Sequence, residues 1–368
     1  MERYDCVVVG AGPGGSIFAR NAAQKGFKTL IIEKETLPRY KSCGGGLTHA
    51  IKKIVDFDYS EMIERSPTGV AFISRDEDGI LDYPNSMPVD MISRQKFDHY
   101  LVKQALTAGS ELLENTKVIS VVESKDRVTL KTRGGDAIEA LLVIGADGAL
   151  SVVARAAGLD KRKGGIAIEA EIYPRDPGAL EEHGSRTIFG FGFLKNGYGW
   201  IFPKKDHFSV GIGTGMERMP GLLSLYKQFT DRFDFLKGEK EDERRGWFIP
   251  YSRGSQTINT RRICLVGDSG YLVDPFSGEG IYPAILSGMI ASEIACDEIM
   301  KKGRLSRKYS REIKKSITGD YFYAWLCSEI FYARPSFFYR KRRVIDALTR
   351  LSKKEIRYRD VLNELRKR

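Results

Sequence analysis

Glycines 10, 12 and 15 lie in the stretch Tyr4-Asp5-Cys6-Val7-Val8-Val9-Gly10-Ala11-Gly12-Pro13-Gly14-Gly15-Ser16, where an apolar run of strand length meets a turn. These residue types at this spacing suit the capture of a pyrophosphate. Gly10 permits a tight turn, Gly12 lets the backbone approach the anion, and Gly15 lets a helix pack closely on the strand; Gly14 belongs to the same turn. The helical pattern that follows, Ile17 to Gln24, offers free N–H groups and a partial positive charge at its start. A second apolar strand, 29–32, ends at Glu33, 23 positions after Gly10. That is close to the spacing at which a carboxylate accepts hydrogen bonds from a ribose 2′-hydroxyl. Strand, turn, helix, strand and acid agree on a dinucleotide-binding βαβ unit, which alone does not separate FAD from NAD.

Four further places carry residues able to do chemistry. Lys41-Ser42-Cys43-Gly44-Gly45-Gly46-Leu47 reads as a loop, because three glycines favour neither helix nor strand. Glycine there lets a planar ligand lie against the backbone, and Cys43 reads as either a small packing residue or a reactive thiol. Ser93-Arg94-Gln95-Lys96-Phe97-Asp98 opens a helix, with Ser93 as N-cap and apolar residues at 97, 101 and 105. A cation in a first turn opposes the helix dipole, so Arg94 either faces a bound anion or is a solvated surface charge. The strand 141–144 leads into Gly145-Ala146-Asp147-Gly148, with Ser151 expected to cap a helix to Ala157. A last strand ends in Gly267-Asp268-Ser269-Gly270 and runs on to Gly280 and Ile281. There Asp268 can grip ribityl hydroxyls, and amides near Gly280 can face the polar edge of a flavin ring. In the helix from about 281 to 300, Ala284, Gly288, Ala291 and Ala295 leave a narrow face for close packing.

The elements between these places alternate in character. Residues 69–92 read as short strands, and 116–123 (which include Val118) with 126–132 as a hairpin. From 164 to about 255 the pattern turns to alternating, aromatic-rich strands, among them Tyr198-Gly199-Trp200-Ile201-Phe202-Pro203 and Gly211-Ile212-Gly213. This predicts an antiparallel sheet with one face toward a cavity. The expected class is α/β (α+β). A Rossmann-like FAD-binding domain (1–68, 93–160, 256–300) carries an inserted antiparallel substrate domain (69–92, 161–255). A basic, aromatic-rich helical segment, 301–368, completes the chain.

Composition narrows the function classes. The 368 residues are 42% hydrophobic, and no window approaches a membrane-spanning run. The chain starts a strand almost at once, so no secretory signal is expected. Five scattered cysteines argue against a disulfide framework, and four dispersed histidines against a metal site. The expected compartment is a reducing cytoplasm. The net charge of +11 is uneven: 301–368 hold 21 Lys/Arg against 7 Asp/Glu, and the first 300 residues 38 against 41. Nine aromatic residues fall between Tyr321 and Tyr339, flanked by basic clusters. An apolar pocket, or peripheral contact with an anionic membrane face, explains this more economically than nucleic-acid binding. A solvated basic helix packed on the core is the plainer alternative.

Taken together, GAGPGG at 10–15 with Glu33, KSCGGGL at 41–47, RQKFD at 94–98, GADG at 145–148, YGWIFP with GIG at 198–213, and GDSG with PFSGEGI at 267–281 resemble the FAD-dependent geranylgeranyl reductase family. That family lies within the p-hydroxybenzoate hydroxylase-like flavoproteins. The resemblance spans most of the first 280 residues and leaves the last 60 without a matching motif. It implies FAD as cofactor and a hydrophobic cavity in which isolated double bonds of a polyprenyl chain are saturated. Hydride would pass from reduced FAD to one alkene carbon and a proton to the other. It further implies that Cys43, Gly44 and Gly46 contact flavin or line the reaction site, and that Tyr198 and Trp200 face the cavity. Arg94 and Asp268 would hold the pyrophosphate and ribityl regions, and Gly280 and Ile281 the ring. Val118, Asp147 and Gly148 complete the expected cofactor contacts. One dinucleotide fingerprint leaves the electron donor as a transiently bound NAD(P)H or a ferredoxin-like protein. A flavin monooxygenase or halogenase, and a non-catalytic flavin- or lipid-binding protein, are the competing readings.

Overall fold

The computed structural model describes residues 2–76, 79–161, 163–176, 178–236, 240–242, 244–254 and 256–367. In chain order the first half holds β1 (Glu2–Val9), α1 (Pro13–Gln24), β2 (Thr29–Ile32), β3 (Gly46–Thr48), β4 (Ile63–Arg65), β5 (Gly69–Ser74), β6 (Leu81–Tyr83) and β7 (Val89–Ile92). Then follow α2 (Arg94–Thr107), β8 (Glu111–Leu113), β9 (Val118–Glu123), β10 (Val128–Thr132), β11 (Ala137–Gly145), α3 (Val152–Ala156), β12 (Gly164–Tyr173) and α4 (Gly178–His183). The second half holds β13 (Arg186–Phe191), β14 (Gly197–Pro203), β15 (Phe208–Thr214), α5 (Leu222–Thr230), β16 (Lys240–Glu241), β17 (Arg245–Pro250), β18 (Ile263–Leu265) and α6 (Ile281–Lys302). The chain closes with α7 (Lys308–Ser316), α8 (Tyr321–Ala333), α9 (Pro335–Tyr339), α10 (Arg342–Ser352) and α11 (Tyr358–Arg366).

Two compact units emerge. The first comprises Met1–Tyr40, Gln95–Lys163 and Pro250–Tyr321. Its sheet runs β8-β2-β1-β11-β10-β9, with β18 beside β11. β1 pairs in parallel with β2 and β11, so Val9 stands opposite both Ile32 and Gly145. Strands buried on both faces read as unbroken apolar runs rather than alternations, and Val7, Val8, Ile31, Leu142 and Ile144 are fully or almost fully buried. The expected hairpin forms between β9 and β10.

The second unit comprises Lys41–Arg94, Gly164–Ile249 and Phe322–Arg368. Its larger sheet runs β16-β12-β15-β14-β13-β5-β6, with β17 on β12; a small sheet runs β3-β7-β4. All its pairings given in register are antiparallel except β13 with β5, which is parallel. α5 covers one face, where the Phe229 ring would stand 2.8 Å from a Cβ on Gly199.

These units divide the chain differently from the division read off the sequence. Residues 41–68 join the second unit because β3 and β4 both form ladders with β7. The C-terminal stretch forms no separate body. Tyr309 hydroxyl donates to the Leu265 carbonyl (2.7 Å), tying α7 into the first unit. Tyr83 hydroxyl donates to the Tyr339 carbonyl (2.6 Å), and Met87 N–H to Thr349 Oγ1 (3.1 Å), tying α9 and α10 into the second. Helices of 5 to 11 residues are too short to stand alone in water, so each needs such a partner.

Candidate active site

The glycine turn of the first unit is built by close approach. Gly10 has φ +105, and a Cβ there would collide with the Ala146 carbonyl. A Cβ on Gly15 would meet the Gly10 carbonyl and stand 2.9 Å from Val8. One on Gly14 would stand 2.8 Å from the Ala284 carbonyl, and one on Gly288 would strike Gly14 itself. The narrow face of α6 therefore clamps the turn. Gly12 differs, because nothing lies within 4 Å of where its Cβ would be. Gly12 is also the N-cap of α1, which has Pro13 in its first turn and no acidic side chain there. An open backbone face at an uncompensated helix start is a cradle for an anion, and the turn fits the pyrophosphate of FAD.

Glu33 is buried, and its carboxylate does more than await a ribose. Its Oε2 accepts from the Ala11 N–H (2.9 Å), and its Oε1 from the Glu35 N–H (3.2 Å). Arg39 Nε lies 3.2 Å from Oε2, and Arg39 Nη1 reaches Asp98 Oδ2, also at 3.2 Å. A carboxylate offers about four acceptor sites, so Oε1 retains one for a ribose hydroxyl. Arg39 and Asp98 escaped the sequence reading. Asp98 lay within the quoted RQKFD motif, but Arg39 stood in an unpatterned loop.

Asp147 also has a local task. Its carboxylate accepts from Ser151 Oγ (2.5 Å), Val152 N–H (2.6 Å) and Val153 N–H (3.3 Å), while Ser151 caps α3 by accepting from Ala154 N–H (2.8 Å). Burial raises its pKa, and the Ser151 hydrogen bond and those N–H groups hold the rise back. Rather than offering a free carboxylate, Asp147 builds the turn, and Gly148 (φ +80) has open space where its Cβ would be. Asp268 is different. Its carboxylate is half-buried and has no hydrogen-bond or ion-pair partner among the described residues, and its Oδ1 lies 3.5 Å from where a Cβ on Gly280 would stand. An unspent acid beside the first residues of α6, where Gly280 is the N-cap and Ile281 the first helical residue, fits the ribityl role. Asp274, missed in the sequence, shapes the intervening loop by accepting from Phe276 N–H (2.9 Å) and Ser277 N–H (3.0 Å). Arg94 opens α2 and is half-buried, whereas Val118 turns its side chain into the hydrophobic core of the first unit.

In the second unit, Tyr198, Trp200 and Phe202 share one face of β14, as the two-residue period of a strand requires. Phe189 lies in register with Trp200, and Phe72 with Phe189. On the other side Trp200 pairs with Gly211 and Tyr198 with Gly213. A Cβ on Gly211 would strike the indole of Trp200, and one on Gly213 would sit 3.6 Å from it. That is the physical reason for glycine at 211, whereas at 213 the indole would be in ordinary contact. Beyond the strands, Tyr339 stacks on Phe72 (5.3 Å), Phe331 meets Phe191 edge-on (5.4 Å), and Tyr332 stacks on Tyr198 (6.4 Å). Phe331, Tyr332 and Tyr339 of the C-terminal aromatic run are thus spent on this face, and among the described residues of that run only Phe322 and Phe337 are half exposed or more.

The Cys43–Gly46 loop packs against the same face. A Cβ on Gly44 would lie 2.9 Å from the Phe202 ring and 3.1 Å from Trp200 Nε1. That indole N–H is buried and has no hydrogen-bond partner among the described residues, a deficit of about 1–3 kcal/mol that a bound acceptor would remove. Cys43 is half-buried, and its N–H donates to Glu169 Oε1 (2.7 Å). Gly45 has φ +67. Lys204 is buried, and its Nζ donates to the carbonyls of Gly44 (2.6 Å) and Ile92 (2.8 Å). Burial lowers its pKa, opposed by the charges of Glu171, Glu64 and Glu169. Lys204 and Glu169 were also missed. The available signal was a charged residue inside, or directly after, an otherwise apolar strand.

Comparison with known proteins identifies the family. An FAD binding domain family matches residues 3–177. The chain is 32% identical over 319 residues to a digeranylgeranylglycerophospholipid reductase of Methanothrix thermoacetophila, covering 81% of this chain and 78% of the relative. A crystal structure of a geranylgeranyl bacteriochlorophyll reductase-like protein from Thermoplasma acidophilum superposes with TM-score 0.81 at 25% identity, over 99% of this chain and 96% of the other. A flavin-dependent brominase shares the fold (TM-score 0.74, 20% identity, 95% and 93% coverage), and at that identity the likeness concerns fold alone. The fold and the relatives converge: the chain belongs to the FAD-dependent geranylgeranyl reductase family and is an FAD-dependent oxidoreductase acting on CH–CH bonds.

Proposed function

We propose that this enzyme saturates isolated C=C bonds of a polyprenyl, geranylgeranyl-type chain carried on a lipid or isoprenoid. The observation that carries this reading is the part of the aromatic face that stays half-buried, Phe189, Tyr198 and Phe202, with the unpartnered indole N–H of Trp200 beside them and the Cys43–Gly46 loop against them. Such a surface recognises hydrocarbon rather than polar groups. The relative in Methanothrix thermoacetophila, a digeranylgeranylglycerophospholipid reductase by name, supports a glycerophospholipid-borne chain.

FAD in its reduced form, when bound, would supply the hydride. On this reading Gly10, Gly12, Gly14, Gly15, Glu33 and Arg39 hold the AMP and pyrophosphate end, and Asp268 the ribityl chain. Backbone at Gly148, Gly280 and Ile281 completes the cradle, and Arg94 adds charge. An isolated alkene has no carbonyl to polarise, so placing it and excluding water carry most of the catalysis. Tyr198 and Trp200 present π-faces that stabilise positive charge developing on a tertiary carbon, and the proton comes from Cys43 at the loop or from a water. Electrons enter from a transiently bound NAD(P)H or a ferredoxin-like protein.

The test is anaerobic. Holoenzyme kept reduced by excess dithionite is mixed with a digeranylgeranyl glycerophospholipid and the lipid is read by mass spectrometry. Successive gains of two hydrogens are expected. A lipid unchanged under argon that gains oxygen or halogen in air would overturn the reading in favour of a monooxygenase or halogenase. Tight lipid binding with no change of mass in either gas would make the protein a carrier.

A further inference from the structure

We propose that Lys204 is a positioning residue whose buried ammonium sets the path of the Cys43–Gly46 loop. The inference deepens the reading of that loop as part of the reductase site and rests on it, but its test reads loop order and not turnover.

Burying an ammonium is expensive, and its replacement by an apolar side chain of similar length is often neutral or stabilising where the charge has no task. Lys204 has two acceptors, and both are backbone carbonyls, one in the loop (Gly44) and one at the end of β7 (Ile92). Ile92 in turn donates its N–H to the Gly45 carbonyl (2.9 Å). The ammonium therefore bridges the two sides of a contact that the backbone also closes. The lysine is itself fixed: its N–H donates to the His207 carbonyl (2.8 Å), and its carbonyl accepts from Arg65 Nε (2.9 Å). A Cβ on Gly45 would collide with the Ile92 carbonyl and with Lys204 Nζ, and φ at Gly45 is +67. Glycine at 45 and lysine at 204 are thus two halves of one device. Glu169, accepting from Cys43 N–H, holds the other end.

Cys43 is half-exposed whereas Cys6, Cys264, Cys296 and Cys327 are buried, so thiol alkylation reports selectively on this loop. In the full-length holoenzyme, Lys204→Met should speed iodoacetamide labelling of Cys43 about tenfold, the loop opening more often once its anchor is lost. Lys204→Gln keeps one donor group and should fall between. Ile188→Ala, in the core on the other side of the same sheet, serves as the control for general loosening and should change labelling by less than about twofold. Unchanged labelling in Lys204→Met, or equal acceleration in Ile188→Ala at matched loss of Tm, overturns the proposal. If Lys204→Met does not fold, the comparison passes to Lys204→Gln. If neither folds, the lysine serves global stability and the proposal fails.

Discussion

Gly10 and Gly12 stand two residues apart and answer to different demands. Gly10 serves the fold, since its positive φ and the Ala146 carbonyl behind it forbid a side chain. Gly10→Ala should cost about 1–3 kcal/mol from backbone strain alone, seen as a lower apoprotein Tm. Gly12 has open space around it. Gly12→Val should lower that Tm less than Gly10→Ala does, the loss being only that of a poorer N-cap, and weaken FAD binding by about tenfold or more, equivalent to 1.4 kcal/mol, in a flavin fluorescence titration. At the loop, Cys43→Ser should lower alkene reduction while FAD content stays near normal. Unchanged turnover would return the thiol to a packing role.

The turn that joins β14 to β15 carries a charge pairing with a pH signature. His207 Nε2 lies 3.2 Å from Glu171 Oε2, and His207 Nδ1 2.8 Å from Asp206 Oδ1. Burial pulls the imidazole pKa down, but the Glu171 and Asp206 carboxylates outweigh it, leaving the value above the ordinary 6.5. The folded state holds this proton more tightly than the unfolded one. The stabilisation is therefore complete below the unfolded pKa and is lost as pH rises through the higher folded value. Urea melts between about pH 6 and pH 9 should show stability falling with pH, and His207→Gln should flatten that slope.

For the whole molecule, the basic C-terminus is the feature that asks for a partner. No described helix is long and apolar enough to cross a membrane. Phe322 and Phe337 are the half-exposed aromatics there, and Lys341 lies 3.7 Å over the Phe337 ring. Truncation after Arg340 is a poor test of lipid binding, because α10 and α11 bury Val344, Ile345, Leu348, Val361 and Leu362. Removing them would destabilise the second unit. Replacing Arg340, Lys341 and Arg350 by glutamine should instead weaken binding to anionic liposomes, with the difference shrinking as salt rises. Indifference to both charge and salt would remove the membrane from the account.

The sequence by itself determined the nucleotide half of this enzyme. Turn glycines, capping serine and apolar strands act within a few residues of one another, and their demands are local and steric. Ser151 capping α3 and the narrow face of α6 were legible for that reason. The tertiary structure decided what each polar group is spent on. Glu33 ties the turn and pairs with Arg39, Asp147 caps a helix, and Asp268 alone of the three is left unspent. It also decided that the C-terminal aromatics cover the sheet, and that Lys204 and Glu169 hold a loop some 160 and 126 residues away in sequence. Burial and long-range hydrogen bonding depend on which surfaces meet, and no spacing within a strand or a turn encodes that.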